Sequence, residues 1–204
     1  SCRRSIKFFF ATTARELVEY LDPVKYALLN LMRKHPDFIK REQLQGCLKE
    51  AFVFHSWTPK TPVKIRLLWG LGGMGKSEAA VAFANDHLGD FSLIWTLDCS
   101  KGLHLAYQAL GERLSEQFKD EFRHIPPSEI PQRVIGFLNQ NRFEKPWLLI
   151  YDNVDEPLPE EHIPHRGGCV LITSRRKDIW SRDEEGIKVE PFSEKESIGL
   201  LKTI

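Results

Sequence analysis

One glycine-rich segment has the residue types and the spacing needed to bind phosphate groups. Its sequence is Gly70-Leu71-Gly72-Gly73-Met74-Gly75-Lys76-Ser77. It matches the pattern G-x-x-x-x-G-K-[ST] at every fixed position, and its glycines allow positive φ angles and put no Cβ in the way of a phosphate. We expect Lys76 to contact the β- and γ-phosphates of a nucleotide and the Ser77 hydroxyl to bind Mg²⁺. Glu78 completes the candidate binding segment; the alternative is a glycine turn that binds nothing.

A carboxylate at the end of an apolar stretch is the second candidate for binding chemistry. Residues 147–151 are apolar throughout, and Asp152 follows them directly. This order places the carboxylate at the carboxyl end of a buried strand, where open α/β sheets bind their ligands. We expect Asp152 to hold Mg²⁺, directly or through water, opposite the phosphate-binding segment. Capping a helix is the alternative role for this residue.

The residue after Asp152 determines how a nucleotide could be hydrolysed. Many ATPases with this arrangement have a carboxylate there, whereas this chain has Asn153. An amide can position water but cannot accept its proton, so general-base assistance, commonly worth about 10²- to 10⁴-fold, must come from Asp155 or Glu156 or be absent. Solvation at the surface is the alternative for both carboxylates. We therefore expect slow ATP hydrolysis.

These motifs require a parallel sheet to bring them together, and the chain has the corresponding pattern. Short apolar runs alternate with longer amphipathic segments after residue 62, which is typical of βα units. Strands are predicted at 64–69, 93–97, 147–151, 169–173 and 187–190. Helices are predicted at 41–54, 76–88, 102–118 and 128–140, the last with Ser128 as its cap. The predicted fold is a three-layer α/β P-loop NTPase with a mostly parallel five-stranded sheet, preceded by a small helical segment.

Two parts are predicted along the chain. Residues 1–36 form the N-terminal helical segment, with two short helices expected between 13 and 35, and residues 37–204 form the P-loop domain. Near the end, Ser193 and Glu196 have the spacing of a capping box, and the helix that they open has no C-terminal stop signal. We therefore expect the sequence to be a fragment of a longer protein, with its P-loop domain truncated at the C-terminal end.

Composition and charge argue against several other functions. The 29 basic and 28 acidic residues leave a net charge of +1, so no long-range field draws the chain to nucleic acid or to an anionic membrane. The longest apolar run, 79–84, is far shorter than the roughly 20 residues of a membrane span. The four cysteines and seven histidines have no metal-ligand spacing. We expect free thiols in a reducing compartment, and hence a cytoplasmic protein.

Four segments resemble the STAND nucleotide switches, in particular the NB-ARC ATPase module of plant disease-resistance proteins, apoptosome-forming proteins and related bacterial and fungal regulators. Residues 70–76 resemble the phosphate loop of this family, and residues 148–155, LLIYDNVD, resemble its Walker B segment in the branch often joined to tetratricopeptide repeats. Residues 170–175, VLITSR, resemble its fourth strand, which ends in a sensor arginine. Residues 38–42, FIKRE, resemble the box that lines the adenine and ribose pocket, with Lys40 in place of the family's glycine.

The resemblance implies a role for each matched residue. Arg175 would read the γ-phosphate, while Phe38, Ile39 and Arg41 would shape the site for the base and the ribose. A solvated charge is the alternative for Arg175, and an exposed first helical turn is the alternative for Arg41. The candidate catalytic residues are then Lys76, Asp152, Asn153, Asp155 and Arg175. The candidate metal ligands are Ser77 and Asp152.

The resemblance also implies a function, namely an adenine-nucleotide signalling switch. ATP or ADP with Mg²⁺ would control its conformation and its homo-oligomerisation, and protein partners would bind through a region beyond Ile204. No direct contact with nucleic acid and no membrane span are expected. A nucleotide-dependent scaffold that never hydrolyses its ligand is one alternative. A metabolic P-loop enzyme or a GTPase is another, although the sequence has no N-K-x-D guanine motif.

Overall fold

The structure is a computed structural model, and it describes residues 29–30, 39–52, 56–140, 143–180 and 186–201. Within these ranges the backbone forms six strands and six α-helices. The strands are β1 (Leu29–Asn30), β2 (Lys64–Trp69), β3 (Leu93–Asp98), β4 (Trp147–Asp152), β5 (Gly168–Ser174) and β6 (Ile187–Lys188). The helices are α1 (Glu42–Phe52), α2 (Lys76–Asp86), α3 (Leu103–Gln117), α4 (Lys119–Phe122), α5 (Ile130–Gln140) and α6 (Glu194–Leu201).

The strands form one sheet in the order β1-β3-β4-β5-β2-β6, and every pair of neighbouring strands in it is parallel. Strand β2 lies between β5 and β6, and β5 lies between β2 and β4. Because parallel strands have their carboxyl ends at the same edge, the residues that follow β2, β4 and β5 lie close together. The glycine-rich segment, Asp152 and Arg175 all belong to this edge.

Helices cover both faces of the sheet, which gives the predicted three layers. All six residues of β4 are buried. Leu148 and Ile150 pack in a core with residues of α1 and α2. Leu149 and Tyr151 point the other way and pack in a second core with residues of α3 and α5. A strand covered on both faces has no solvent-exposed side, and this explains its continuous apolar run.

The predicted α/β fold and its five strands are confirmed, with differences at the ends of elements. A sixth strand, β1, pairs with β3 at two residues that were predicted to be helical. Backbone pairing along the free edge of β3 outweighs the weak local preference of this segment. The predicted Ser128 cap is wrong, because Pro127–Glu129 form a 3-10 turn and α5 begins only at Ile130.

Predictions were also made for the N-terminal helices and for the last helix of the chain. Apart from β1, the two predicted N-terminal helices lie outside the described residues, and the division at residue 36 stays a prediction. Helix α6 begins with the predicted capping box, because the Ser193 amide donates to Glu196 Oε2 at 2.7 Å and the Glu196 amide donates to Ser193 Oγ at 3.3 Å. In the part of the chain that the structure describes, no helix is both long enough and apolar enough to span a membrane.

Candidate functional site

The glycine-rich segment between β2 and α2 lines an open cavity. Gly73 and Gly75 have φ angles of 76° and 78°, a region that residues with a side chain rarely adopt. Gly75 caps α2 without any side-chain hydrogen bond to the first turn, so the amides there remain available to an anion. A Cβ added at Gly72, Gly73 or Gly75 would meet no atom within 4 Å.

The cavity beside these glycines has a volume of about 530 Å³. It is lined by the glycine-rich segment and by the carboxyl edge of the sheet. The lining residues are Gly72, Gly73, Gly75, Lys76, Ser77, Glu78, Ser100, Asn153, Asp155, Ser174 and Arg175. Eight of them were predicted from the two motifs and Arg175 from the family resemblance, whereas Ser100 and Ser174 were not predicted.

Gly70 begins the segment and is fixed from two sides. Its amide donates to the Ser174 carbonyl at 3.2 Å, and the neighbouring Trp69 carbonyl accepts from the Val189 amide at 2.8 Å. Its φ of 148° and a backbone oxygen of Val189, which would lie 2.7 Å from an added Cβ, leave no room for a side chain. The glycine here therefore allows close contact between the loop and the chain that follows β6.

Asp152 lies under the cavity as the centre of a small hydrogen-bond network. It is only 3% exposed. Its Oδ1 accepts from Ser77 Oγ at 2.6 Å and from Thr173 Oγ1 at 2.6 Å, and its Oδ2 accepts from Asn153 Nδ2 at 3.1 Å. Thr173 Oγ1 also accepts from the Asn153 amide at 3.0 Å. The side chains of the two predicted motifs are thus in direct contact, and nothing in this geometry makes Asp152 a helix cap.

Lys76 folds back on its own loop. Its Nζ donates to the Gly70 carbonyl at 2.9 Å and to the Leu71 carbonyl at 2.8 Å. Burial lowers the pKa of Lys76, the Asp152 carboxylate opposes that shift, and the positive charge of Arg175 adds to it. The ammonium group therefore lies on its own loop, close enough to Asp152 and Arg175 for both charges to affect its pKa.

Arg175 and Asp155 face each other at the cavity. Arg175 Nε donates to Asp155 Oδ1 at 3.2 Å, and Arg175 Nη2 donates to Asp155 Oδ2 at 2.8 Å. The hydrogen bonds and the negative charge of Asp155 raise the pKa of Arg175. Arg175 is exposed, its partner is Asp155, and both side chains line the cavity.

Asn153 has an unusual backbone conformation that suits its place. Its φ is 59°, a left-handed value that asparagine tolerates better than most residues. The turn directs the backbone amide of Asn153 to Thr173 Oγ1, while its side-chain amide contacts Asp152 and the residue lines the cavity. Asn153 is therefore in a position to hold a polar ligand next to Asp152.

Arg41 lies at the other end of the site and is nearly buried, with 9% of its surface exposed. Its Nη1 donates to the Met74 carbonyl at 3.2 Å, and its Nη2 donates to the carbonyls of Glu190 at 2.8 Å and Pro191 at 3.4 Å. Its Nε donates to Glu196 Oε1 at 3.4 Å. The alternative of an exposed first helical turn is therefore wrong for Arg41, which links the glycine-rich segment to the chain near α6.

A second cavity, of about 730 Å³, lies beside Arg41. Its walls are the segment that leads into α1 and the segment that joins β6 to α6. The lining residues are Ile39, Lys40, Arg41, Glu42, Gln43, Leu44, Cys47, Ile187, Lys188, Val189, Glu190, Pro191, Ser193 and Glu196. Ile39 and Arg41 were predicted for this part of the site, while Phe38 lies outside the described residues.

One residue that holds Asp152, Thr173, and the carbonyls that bind Arg41 were missed by the sequence reasoning. Thr173 is the last residue but one of β5, next to β4, and the rule used for Asp152 would have pointed to this end of the strand as well. The partners of Arg41 carried no such signal, because Glu190 is 149 residues away in sequence and contributes only its carbonyl. Leu71 and Met74, by contrast, lie in the predicted segment, where the first is exposed and the second contacts Arg41 through its carbonyl.

The donor set at the carboxyl edge is suited to magnesium bound together with phosphate. Among the described residues, no group of three or more His, Cys, Asp or Glu side chains is arranged to hold a metal ion. A hydroxyl and a carboxylate, Ser77 and Asp152, meet instead beside open space, and Mg²⁺ is commonly held by one or two protein oxygens with the remainder from phosphate and water. The residues therefore fit the ion. The described cysteines, Cys47, Cys99 and Cys169, are free thiols.

A buried pair of tyrosines supports β4 behind Asp152. The hydroxyls of Tyr107 and Tyr151 lie 2.6 Å apart, and they lie 2.7 Å and 3.1 Å from the His162 carbonyl. Burial raises the pKa of both hydroxyls well above their ordinary value of 10.0. The pair ties α3 to β4 and to the chain near His162, so it steadies the strand that carries Asp152.

Known proteins were compared with this chain in sequence and in fold. No protein-family model matches it. Over 176 aligned residues it is 28% identical to a protein of Arabidopsis thaliana described as a probable disease resistance protein, and the alignment covers 78% of this chain and 17% of that protein. Its fold is similar to the crystal structure of Cdc6p from Pyrobaculum aerophilum, with a TM-score of 0.56 and 10% identity over 85% of this chain and 54% of that chain. The chain thus spans only part of each, and it has the parallel α/β fold of the P-loop ATPases.

Proposed function

We propose that this chain binds Mg-ATP and Mg-ADP at the carboxyl edge of its sheet and acts as a nucleotide-controlled switch. One observation carries the proposal, namely the 2.6 Å hydrogen bond between Ser77 Oγ and Asp152 Oδ1. The two side chains come from separate motifs and meet beside a glycine-rich loop that opens onto a cavity. The combination is the one that P-loop NTPases use to hold a magnesium-bound polyphosphate.

The residues of the phosphate loop and those around Asp152 have proposed tasks. Lys76 exchanges its bonds to the Gly70 and Leu71 carbonyls for bonds to the β- and γ-phosphates, and the amides of 70–77 bind the phosphate oxygens. Ser77 and Asp152 would hold Mg²⁺, which would offset the negative charge of the phosphates, while Thr173 keeps Asp152 in place. Asn153 orients a water molecule near the terminal phosphate.

Hydrolysis is proposed to be slow, because neither of the two cavity residues that follow Asp152, Asn153 and Asp155, is an unpaired carboxylate. Asn153 cannot accept a proton, and Asp155 is already paired with the guanidinium of Arg175. A carboxylate oxygen that already accepts a hydrogen bond from a guanidinium is less available to receive a proton from water. These groups support water positioning without general-base catalysis, which commonly contributes about 10²- to 10⁴-fold.

Adenine is the proposed base. The cavity beside Arg41 adjoins the phosphate loop through the Arg41–Met74 hydrogen bond. It is lined by Ile39 and Arg41, which belong to the segment 38–42 that resembles the adenine and ribose box of NB-ARC modules. Identification by mass spectrometry of the nucleotide retained by the purified protein tests this assignment. We expect ADP or ATP, whereas GDP or GTP would overturn the choice of base.

The switching role rests on the similarity to NB-ARC modules and to a probable disease resistance protein. We propose that ADP holds one conformation of a cytoplasmic protein, and that ATP favours another that self-associates and binds protein partners. Coupling of this kind needs only about 1–3 kcal/mol of differential binding, so slow turnover is sufficient. Sedimentation of the full-length protein with Mg-ADP and with a non-hydrolysable ATP analogue tests the role, and identical sedimentation in both would count against it.

A nucleotide-dependent scaffold is the second candidate, and the absence of a carboxylate at residue 153 favours it. Single-turnover hydrolysis separates the two functions. Slow conversion of bound ATP to ADP, abolished by Asp152→Asn, is expected for the switch. Full retention of ATP over the same period would leave the scaffold as the function. Failure of the protein to bind either nucleotide would reject both.

A further inference from the structure

The pair formed by Arg175 and Asp155 occupies an unusual place for a surface ion pair. The two side chains are 66% and 53% exposed, and they meet through two hydrogen bonds. Both also line the cavity that contains Lys76 and Ser77. Exposed pairs add little to the stability of a fold. Because the pair contributes little to the stability of the fold, its location at the cavity is the feature that requires an explanation.

The next arginine in the chain provides a comparison. Arg176 makes the same kind of two-point contact with Asp178, through Nε at 3.0 Å and Nη2 at 2.5 Å. Neither Arg176 nor Asp178 is among the residues that line the cavity. Two neighbouring arginines thus have equivalent partners, and only the first pair faces the open space beside the phosphate loop.

The charges of the first pair act on the cavity in opposite senses. Arg175 is close enough to Lys76 to contribute to the lowered pKa of that lysine, of which burial is the larger cause. Asp155 presents a carboxylate to the same space, where it would repel the terminal phosphate of a nucleotide. A guanidinium binds carboxylate and phosphate oxygens with the same planar fork. The Nε and Nη2 donors that Asp155 now occupies are therefore equally suited to a phosphate.

We propose that Asp155 is a specificity-determining residue that competes with the third phosphate for Arg175 and so favours the diphosphate over the triphosphate. This inference rests on the proposed nucleotide binding. The triphosphate takes one of the two guanidinium hydrogen bonds from Asp155, whereas the diphosphate, one phosphate shorter, leaves both hydrogen bonds of the pair intact. Asp155 thereby sets the preference of the resting protein for ADP.

Asp155→Asn tests the proposal, since it keeps the shape of the side chain and removes the charge. Calorimetric titration with Mg-ADP and with the non-hydrolysable analogue Mg-AMP-PNP measures both affinities. We expect the affinity for AMP-PNP to rise about two- to fivefold, the range of an exposed ion pair, with the affinity for ADP unchanged. Asp178→Asn, which breaks the equivalent pair outside the cavity, should change neither affinity.

A second comparison shows whether the effect passes through the arginine. In an Arg175→Gln background, where Asp155 has no guanidinium to hold, Asp155→Asn should change the AMP-PNP affinity less than it does in the native chain. An AMP-PNP affinity that stays constant or falls in Asp155→Asn alone would overturn the proposal, because Asp155 would then be inert or would hold Arg175 in place for the phosphate. Failure of the native protein to bind either nucleotide would instead reject the proposed function.

Discussion

The two ends of the candidate site are built in different ways. At the phosphate end, polar side chains from short motifs contact one another around an open cavity, as in the hydrogen bond between Ser77 and Asp152. At the Arg41 end, one nearly buried guanidinium binds mainly the backbone carbonyls of distant segments. The phosphate end thus depends on which side chains its motifs carry, whereas the Arg41 end depends on how distant segments of the chain pack together. Substitutions at the phosphate end should reduce nucleotide affinity more than the free energy of unfolding. Substitutions at the Arg41 end should reduce the free energy of unfolding more than nucleotide affinity.

The largest effect is expected at the phosphate end. Lys76→Ala should weaken the binding of Mg-ATP at least about 100-fold, because each charge-assisted hydrogen bond to phosphate contributes roughly 1.5–3 kcal/mol. The free energy of unfolding should fall by only about 1 kcal/mol, since Lys76 binds the loop through one exposed and one part-buried hydrogen bond. Titration calorimetry and urea unfolding measure the two quantities. Lys119→Ala, on α4 and outside both cavities, is the control, and an unchanged affinity in Lys76→Ala would remove the basis of the comparison.

Arg41→Met should show the opposite order of effects. The free energy of unfolding should fall by about 2–3 kcal/mol, because the Met74 and Glu190 carbonyls and the Glu196 carboxylate lose a donor. The loss of Mg-ATP affinity should be smaller than in Lys76→Ala. Arg41→Lys keeps the charge without the fork and should lie between the two. A variant of native stability that no longer binds ATP would show that Arg41 acts on the ligand, contrary to the comparison.

Thr173→Val tests a buried residue that supports the side chains of the phosphate end. The hydroxyl that fixes both Asp152 and the Asn153 amide is removed, and the free energy of unfolding should fall by about 1–2 kcal/mol. The control is Thr96→Val, because Thr96 Oγ1 is buried without a hydrogen-bond partner in the described structure and should be replaced at little cost. Equal losses in both variants would show that the hydroxyl of Thr173 has no special role in holding Asp152.

The smallest effect is expected behind the phosphate end. The pKa values of Tyr107 and Tyr151 are raised in the folded chain, so their contribution to stability is complete below pH 10 and is lost as the pH rises above it. The loss should reach at most about 1.4 kcal/mol per pH unit for each tyrosine. Tyr107→Phe should reduce this slope and lower the stability at neutral pH by about 1 kcal/mol. Unfolding measured from pH 8 to 11 checks both effects, and a slope identical to that of the native chain would contradict them.

The parts of the molecule that could be predicted are those that depend on neighbours in sequence. The loop at 70–77 and the strand ending in Asp152 each carry their pattern within a few residues, and the rule that strand ends meet at one edge brings them together. The cap predicted at Ser128 failed for a local reason as well, because Pro127 begins a 3-10 turn before the helix.

The remainder depends on contacts between distant segments. Nothing near Arg41 in sequence indicates that it will bind the Glu190 carbonyl, since a carbonyl is present at every residue and only the fold selects one. The pairing of Arg175 with Asp155 was equally out of reach, because both residues had plausible roles that did not involve each other. The added strand β1 likewise arises from the free edge of β3 rather than from its own two residues.

The two glycines at the start of the loop should have different fates during evolution. Gly70 is required by the fold itself, because a side chain there would collide with the backbone of Val189. Gly72 has neither a positive φ angle nor a neighbour within 4 Å, so only a ligand would exclude alanine from that position. Related proteins that no longer bind nucleotides should therefore keep glycine at residue 70 but accept other residues at 72. Residue 72 is thus the better indicator of selection for nucleotide binding.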